Sequence, residues 1–174
     1  VRFVLKNMIA IYFYPSVIKV NMKTNAIRIL ESKGIDFTFA EYECDEAIDA
    51  VAVASAIGAA PETVFKTLAA RSDRNEILVF VIPGNFELNL KKAAKASGAK
   101  SVSMLAVREL QPTTGYIRGG CSPVGMKKHF PTFIDETAQL HGRIYVSAGV
   151  RGMQVCLSPT DLAAAAEAAF ADLT

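Results

Sequence analysis

From residue 22 onward, helical and extended periods of apolar positions alternate along the chain. Ala26, Ile27 and Leu30 recur at the spacing of one helix face, behind Thr24 as an N-cap and ahead of Gly34 as a left-handed stop. Residues 37–42 read as a strand in which Tyr42 shares the parity of Thr38 and Ala40, on the face opposite Phe37 and Phe39. A second helix, 49–57, is closed by Gly58. Residues 61–70 and 77–82 form a predicted hairpin through the polar turn 71–76, and 77–82 are apolar at every position, the mark of a central strand buried on both faces. Residues 88–97 form a basic amphipathic helix carrying Lys91, Lys92 and Lys95 and stopped by Gly98. A short strand at 100–105, a helical turn at 107–110 ahead of Pro112, and strands at 132–135, 143–147 and 153–157 follow. The last helix opens with Ser158 as N-cap, Pro159 at N1 and Asp161 at N3, and its alanine-rich run carries it to about residue 171. No repeat or linker interrupts this order. The expected fold is α/β of the mixed kind, a single domain with a curved, partly antiparallel central sheet flanked by helices.

The first 21 residues stand apart from this pattern. Their apolar, aromatic run (Ile9 to Tyr14) is broken by Pro15 and flanked by Arg2, Lys6 and Lys19. It is shorter than the roughly 20 residues a bilayer span requires, and no small-residue cleavage site follows it. The expected organisation is an N-terminal extension, residues 1–21, and one domain, residues 22–174, with Met22 as the functional start. Composition then narrows the class. At 174 residues, 51% hydrophobic and 21% charged, the chain suits one globular core, and a net charge of +2 is too small to be a nucleic-acid signature by itself. Three dispersed cysteines, Cys44, Cys121 and Cys156, fit neither a disulfide framework nor a zinc site and point to a reducing, cytoplasmic compartment.

Two features carry candidate chemistry. The first is residues 114–125, with Gly115, Gly119, Gly120, Gly125 and Pro123 packed into a dozen positions and Lys127 and Lys128 close behind. So many glycines imply positive φ angles or a close backbone approach, and the stretch reads either as a cluster of turns or as a cradle of N–H groups for an anionic ligand. The second is Lys66, in a strand whose two faces both carry apolar residues. Its ammonium either snorkels to the rim or is held for a ligand.

More familiar chemistries fit poorly. Residues 120–127 approach the spacing of a phosphate-binding loop, but the lysine is displaced by one, no Ser or Thr follows it, and Pro123 removes a donor. Cys121 or Ser122 could act as a nucleophile only with His129 or His141 as base, and neither histidine stands in a recognisable motif. No cofactor and no metal are expected.

Several motifs occur together in a fixed order: Val64-Phe65-Lys66-Thr67-Leu68, then residues 88–94, Thr114-Gly115-Tyr116, the run from Gly119 to Gly125, Tyr145-Val146-Ser147 and Arg151-Gly152. In this order, from Met22 to the C-terminus, the sequence resembles the YbaK/EbsC family, within the editing domains related to the prolyl-tRNA synthetase insertion domain. The resemblance implies an aminoacyl-tRNA hydrolase that acts in trans, cutting the ester between a mischarged cysteine and the terminal adenosine of tRNA(Pro). It implies catalytic roles for Lys66, Gly119 and Gly120, and substrate contacts at Tyr42, Thr67, Tyr116, Ser122, Pro123 and Ser147. It further implies that no enzyme nucleophile is needed, because the substrate's own thiol attacks its carbonyl, so Cys121 should be dispensable. Cys44 stands where some relatives carry a histidine, which bears on substrate preference. The expected partners are the acceptor end of aminoacyl-tRNA and, given the low net charge, prolyl-tRNA synthetase; no membrane is expected. A non-catalytic module that binds tRNA or the synthetase, and a deacylase for alanine or serine, are the alternative expectations.

Overall fold

The computed structural model describes residues 23–44 and 49–174. The expected N-terminal extension, residues 1–21, and its boundary at Met22 lie outside the described residues. Two sheets form the domain rather than one continuous curved sheet. The first is antiparallel, with order β1 (Phe37–Glu41), β7 (Met153–Leu157), β6 (Ile144–Ser147). The second has order β4 (Val102–Met104), β2 (Phe65–Ser72), β3 (Ile77–Pro83), β5 (Thr132–Asp135), β8 (Ala169–Ala171). In it β4, β2 and β3 pair antiparallel, while β5 and β8 add in parallel.

Strand β3 sits between β2 and β5, as its unbroken apolar run predicts. Leu78, Phe80 and Ile82 pack with Ala93 and Ala94 of helix α3 (Leu90–Ser97). Val81, of opposite parity, joins the main core with Ile134, Val146, Val155 and Leu157. Helices α1 (Asn25–Ser32) and α5 (Pro159–Ala166) cover that core with Ala26, Ile27, Leu30, Leu162 and Ala165. Their starts are fixed by side-chain caps, since Thr24 accepts from Ile27 N–H and Ser158 from Asp161 N–H. Helix α2 (Ala50–Ile57), capped by Asp49, forms a small satellite core from Val53, Ala54 and Val64.

Strands β1, β4 and β6 are one to three residues shorter than read from the sequence, and four other boundaries differ for identifiable reasons. Pro61–Thr63 is a 3₁₀ turn with proline at its start, and the strand begins only at Phe65. The basic helix starts at Leu90, because Asn89 turns its side chain onto the N–H groups of Lys91 and Lys92. Helix α4 (Val107–Thr114) runs through Pro112. The lost proline donor is offset by Thr114 Oγ1 donating to Leu110 O at 2.8 Å and Gly115 N–H to Gln111 O at 2.9 Å. Finally, α5 stops at Ala166. Glu167 adopts a left-handed conformation (φ 51°), and residues 169–171 become β8, paired with β5 through Phe133–Ala169 and Ile134–Phe170. A helical propensity read locally yields here to a long-range strand pairing.

Candidate active site

Strand β2 belongs to both halves of the molecule. Val64, just before it, makes a parallel bridge to Tyr145 of β6, and its end, Ala70–Ser72, pairs with β4. The two sheets diverge between these points, and a cavity of about 800 Å³ fills the wedge. Every residue from Val64 to Ala69 lines it, on both parities, which is expected of a strand edge and not of a strand face. The Ala69 carbonyl accepts from Leu105 N–H at 3.0 Å on the β4 side. By the alternation of strand hydrogen bonding, the backbone groups of Thr67 face the same side, where no strand among the described residues covers them.

The opposite wall is the glycine-rich loop, which contributes Arg118, Gly119 and Cys121, while Ser147, Tyr42 and Gln154 close the end. The cavity therefore brings together Lys66, Thr67, Gly119, Tyr42 and Ser147 out of the nine residues anticipated. Lys66 Nζ pairs with Glu87 at 3.3 Å; the lysine side chain is 26% exposed and the carboxylate 94%. Thr67 Oγ1 is buried and has no hydrogen-bond partner among the described residues. Tyr42 OH accepts from Gln154 Nε2 at 3.3 Å, and Ser147 Oγ accepts from Gly149 N–H at 3.2 Å.

The other four anticipated residues are not on the cavity wall. Gly120 packs against the backbone of Val150 and Arg151, which an added Cβ would meet at 3.1 Å, and its N–H is engaged with Ile117 O at 3.0 Å. Ser122 is fully buried and accepts from Val124 N–H. Pro123 lines a separate cavity of about 330 Å³ beside α1 and α5. Tyr116 is a packing residue: its ring occupies space that a Cβ on Gly149 would enter at 2.8 Å, and its hydroxyl donates to Val124 O (2.8 Å) and Gly125 O (3.0 Å). Burial and the nearby Cys121 push that hydroxyl up to about 12. Tyr116→Phe leaves these two carbonyls without that donor and is expected to destabilise the fold by about 1–2 kcal/mol, read as a lower denaturation midpoint at unchanged slope.

Which loop donors, then, are left? With Gly120 N–H spent in the turn, the backbone N–H groups of the cavity-lining residues Arg118, Gly119 and Cys121 have no acceptor among the described residues. Gly119 reaches this position at φ 83°, where a side chain would be strained. The Cys121 thiol is an unsuitable nucleophile. Burial pushes it up to about 12, a hydrogen bond with Thr114 opposing only in part, so it stays protonated at neutral pH. His129 is exposed and within 3.3 Å of Glu167, and His141 packs edge-on against Phe65; neither lines the cavity. Cys44 is half-buried and is likewise not a lining residue.

Four polar residues lining the cavity escaped the sequence reading as site residues: Asp49, Glu87, Arg118 and Gln154. Arg118 had a visible signal, a basic residue immediately before the paired glycines. Glu87 and Gln154 had none, since each reaches the site only through the fold. No helix among the described residues is long and apolar enough to cross a membrane.

Comparison with known proteins accords with this geometry. Residues 44–165 match the family described as "Aminoacyl-tRNA editing domain". The chain is 46% identical over 159 residues, covering 90% of it and 96% of the relative, to an Enterococcus faecalis protein provisionally named Cys-tRNA(Pro)/Cys-tRNA(Cys) deacylase EbsC. A stretch of 99 residues is 32% identical to part of the proline–tRNA ligase of Shouchella clausii, covering 57% of this chain and 17% of the ligase. A crystal structure provisionally described as a trans-editing enzyme for prolyl tRNA synthetase superposes with a TM-score of 0.76 at 25% identity, covering 86% of this chain and 96% of that one. On these matches of sequence and fold, the chain belongs to the aminoacyl-tRNA editing domain family.

Proposed function

We propose that the protein is a trans-editing deacylase that hydrolyses Cys-tRNA(Pro). The observation that carries this reading is the edge of β2 that no strand among the described residues covers. There Lys66 and Thr67 line the same cavity as the uncommitted N–H groups of Gly119 and Cys121, with neither histidine on the wall. An aminoacyl ester is already activated, so fixed orientation and hydrogen bonds to the developing oxyanion account for most of the acceleration it requires. Lys66 anchors the ribose or phosphate end of the acceptor, and the two loop N–H groups receive the oxyanion. Thr67 lines the same wall, its Oγ1 buried without a partner among the described residues.

Met104 and Val107, apolar and exposed on the cavity rim (46% and 59%), offer a surface for the adenine ring. With cysteine as the amino acid, the substrate's sulfur attacks its own carbonyl carbon. The ester C–O bond breaks, the thiol proton passes to the departing ribose oxygen, and the resulting thiolactone hydrolyses in water. This route needs no enzyme nucleophile, in keeping with a Cys121 thiol held protonated. Translation places the work in the cytoplasm, with prolyl-tRNA synthetase as the partner that delivers mischarged tRNA.

The experiment is a deacylation panel with purified protein and Cys-tRNA(Pro), Ala-tRNA(Pro) and Ser-tRNA, followed by loss of acid-precipitable label. Cys-tRNA(Pro) is expected to be cleaved fastest. Faster cleavage of the alanyl or seryl ester would reassign the amino acid. Tight tRNA binding with no cleavage of any ester would make the protein a binding module.

A further inference from the structure

We infer that Arg118 holds the phosphodiester on the 5′ side of the terminal adenosine, a contact separate from the ester itself. The inference rests on the deacylase reading and adds a ligand subsite to it.

Four charged side chains line the described part of the cavity: Lys66, Arg118, Asp49 and Glu87. Three of them are engaged within the protein. Glu87 pairs with Lys66, and Asp49 Oδ1 accepts from Ala52 N–H at 2.8 Å to cap α2. The Arg118 guanidinium has no acceptor among the described residues. Its backbone, in contrast, is held on both sides. The Arg118 carbonyl accepts from Arg151 Nε at 2.9 Å, and Gly120 N–H closes the turn onto Ile117 O at 3.0 Å. A turn held in this way thus offers a cation with no acceptor among the described residues, one residue before Gly119, whose N–H the deacylase reading assigns to the oxyanion.

The substrate chemistry supplies one matching group. An aminoacyl-adenosine ester carries a positive ammonium, and its nearest negative charge is the phosphodiester on the 5′ oxygen. A guanidinium presents a planar fork of donors that suits phosphate oxygens better than a point charge does. Lys66 at the strand edge and Arg118 on the loop then grip the terminal nucleotide from two walls, and the position of the phosphate sets how deep the ester enters.

The test compares wild type with Arg118→Ala, Arg118→Lys and, as a surface control, the exposed Arg108→Ala. On Cys-tRNA(Pro), Arg118→Ala should raise KM about tenfold with kcat within about threefold. The slope of log(kcat/KM) against log salt should fall by about 0.7, the share of one single-strand phosphate. Arg118→Lys should recover part of the loss, and Arg108→Ala should match wild type. On minimal substrates, wild type and Arg118→Ala should differ for the cysteinyl ester of adenosine 5′-monophosphate and coincide for that of adenosine. Equal KM and salt slope on tRNA, or an equal loss on the phosphate-free ester, would overturn the assignment. Should wild type cleave no ester, the deacylase reading falls separately. The salt dependence of binding to uncharged tRNA with an intact 3′ end then decides: a shallower slope for Arg118→Ala supports the contact, and an unchanged affinity and slope overturns it.

Discussion

Lys66→Ala is expected to remain folded and to lose about 100-fold or more in single-turnover hydrolysis of Cys-tRNA(Pro), the scale of a misplaced reacting group. The lysine's ion pair with Glu87 spans 3.3 Å to a carboxylate that is 94% exposed, so its removal should hardly move the denaturation midpoint. Activity and stability are separated at this position because Lys66 lines the cavity and its ion pair is with an exposed carboxylate. The paired variant is Cys121→Ala. Its thiol, raised to about 12 by burial, contributes no thiolate at neutral pH, and the variant should keep activity within about threefold of wild type. The rate profile should accordingly show no ionisation belonging to this residue. A Cys121→Ala protein that binds tRNA normally but leaves the ester intact would end the substrate-assisted mechanism. A fully active Lys66→Ala would remove the lysine from it.

The largest structural effect is expected at Gly84, at the end of β3. A Cβ there would stand 2.1 Å from Ala50 Cβ and 2.9 Å from Val64 O, against an ordinary carbon contact of about 3.5–4.0 Å. Its own N–H donates to Val64 O at 2.7 Å, which fixes how closely the chain approaches the start of β2. Gly84→Ala must therefore push away the first turn of α2, whose Ala50 and Val53 line the cavity. Overpacking of this kind costs about 1–3 kcal/mol and sometimes more. The variant should show both a lowered denaturant midpoint and a raised KM. An unchanged midpoint would mean that α2 moves freely, and the close approach would then have no role in shaping the site.

Much of this fold was legible because local signals and long-range pairing agreed. Residues 132–135 and 153–157 became strands with the bounds read from the sequence, and Thr24, Gly58 and Gly98 cap the helices where predicted. The central place of β3 followed from an apolar residue at every position. What the sequence could not reveal arose where distant segments decide. Residues 169–171 carry an alanine-rich, helical composition, yet β5 offers an open edge and takes them as a strand. Pro112 reads as a stop, but hydrogen bonds from Thr114 and Gly115 continue the helix past it. Within the site, residue type indicated Lys66 and the family resemblance Thr67, while the division of labour inside the glycine loop depended on turn geometry. Tyr116 and Ser122 shape the loop from within, and Gly120 N–H is consumed by it. Arg118 stood in plain view, but a basic residue acquires meaning only once the turn that aims it is known.

The wedge between the two sheets has a consequence for selectivity. Two of the cavity's walls are main chain, namely the open edge of β2 and the glycine loop, and main chain cannot be trimmed by substitution. A sieve built from side chains can be widened one methylene at a time. Here β2 and β6 are tied at the Val64–Tyr145 bridge, beside the core that holds Val146 and Phe65. The spacing of these two walls is thus tied to the cohesion of the fold, and changes of preference are expected mainly from side chains around the cavity.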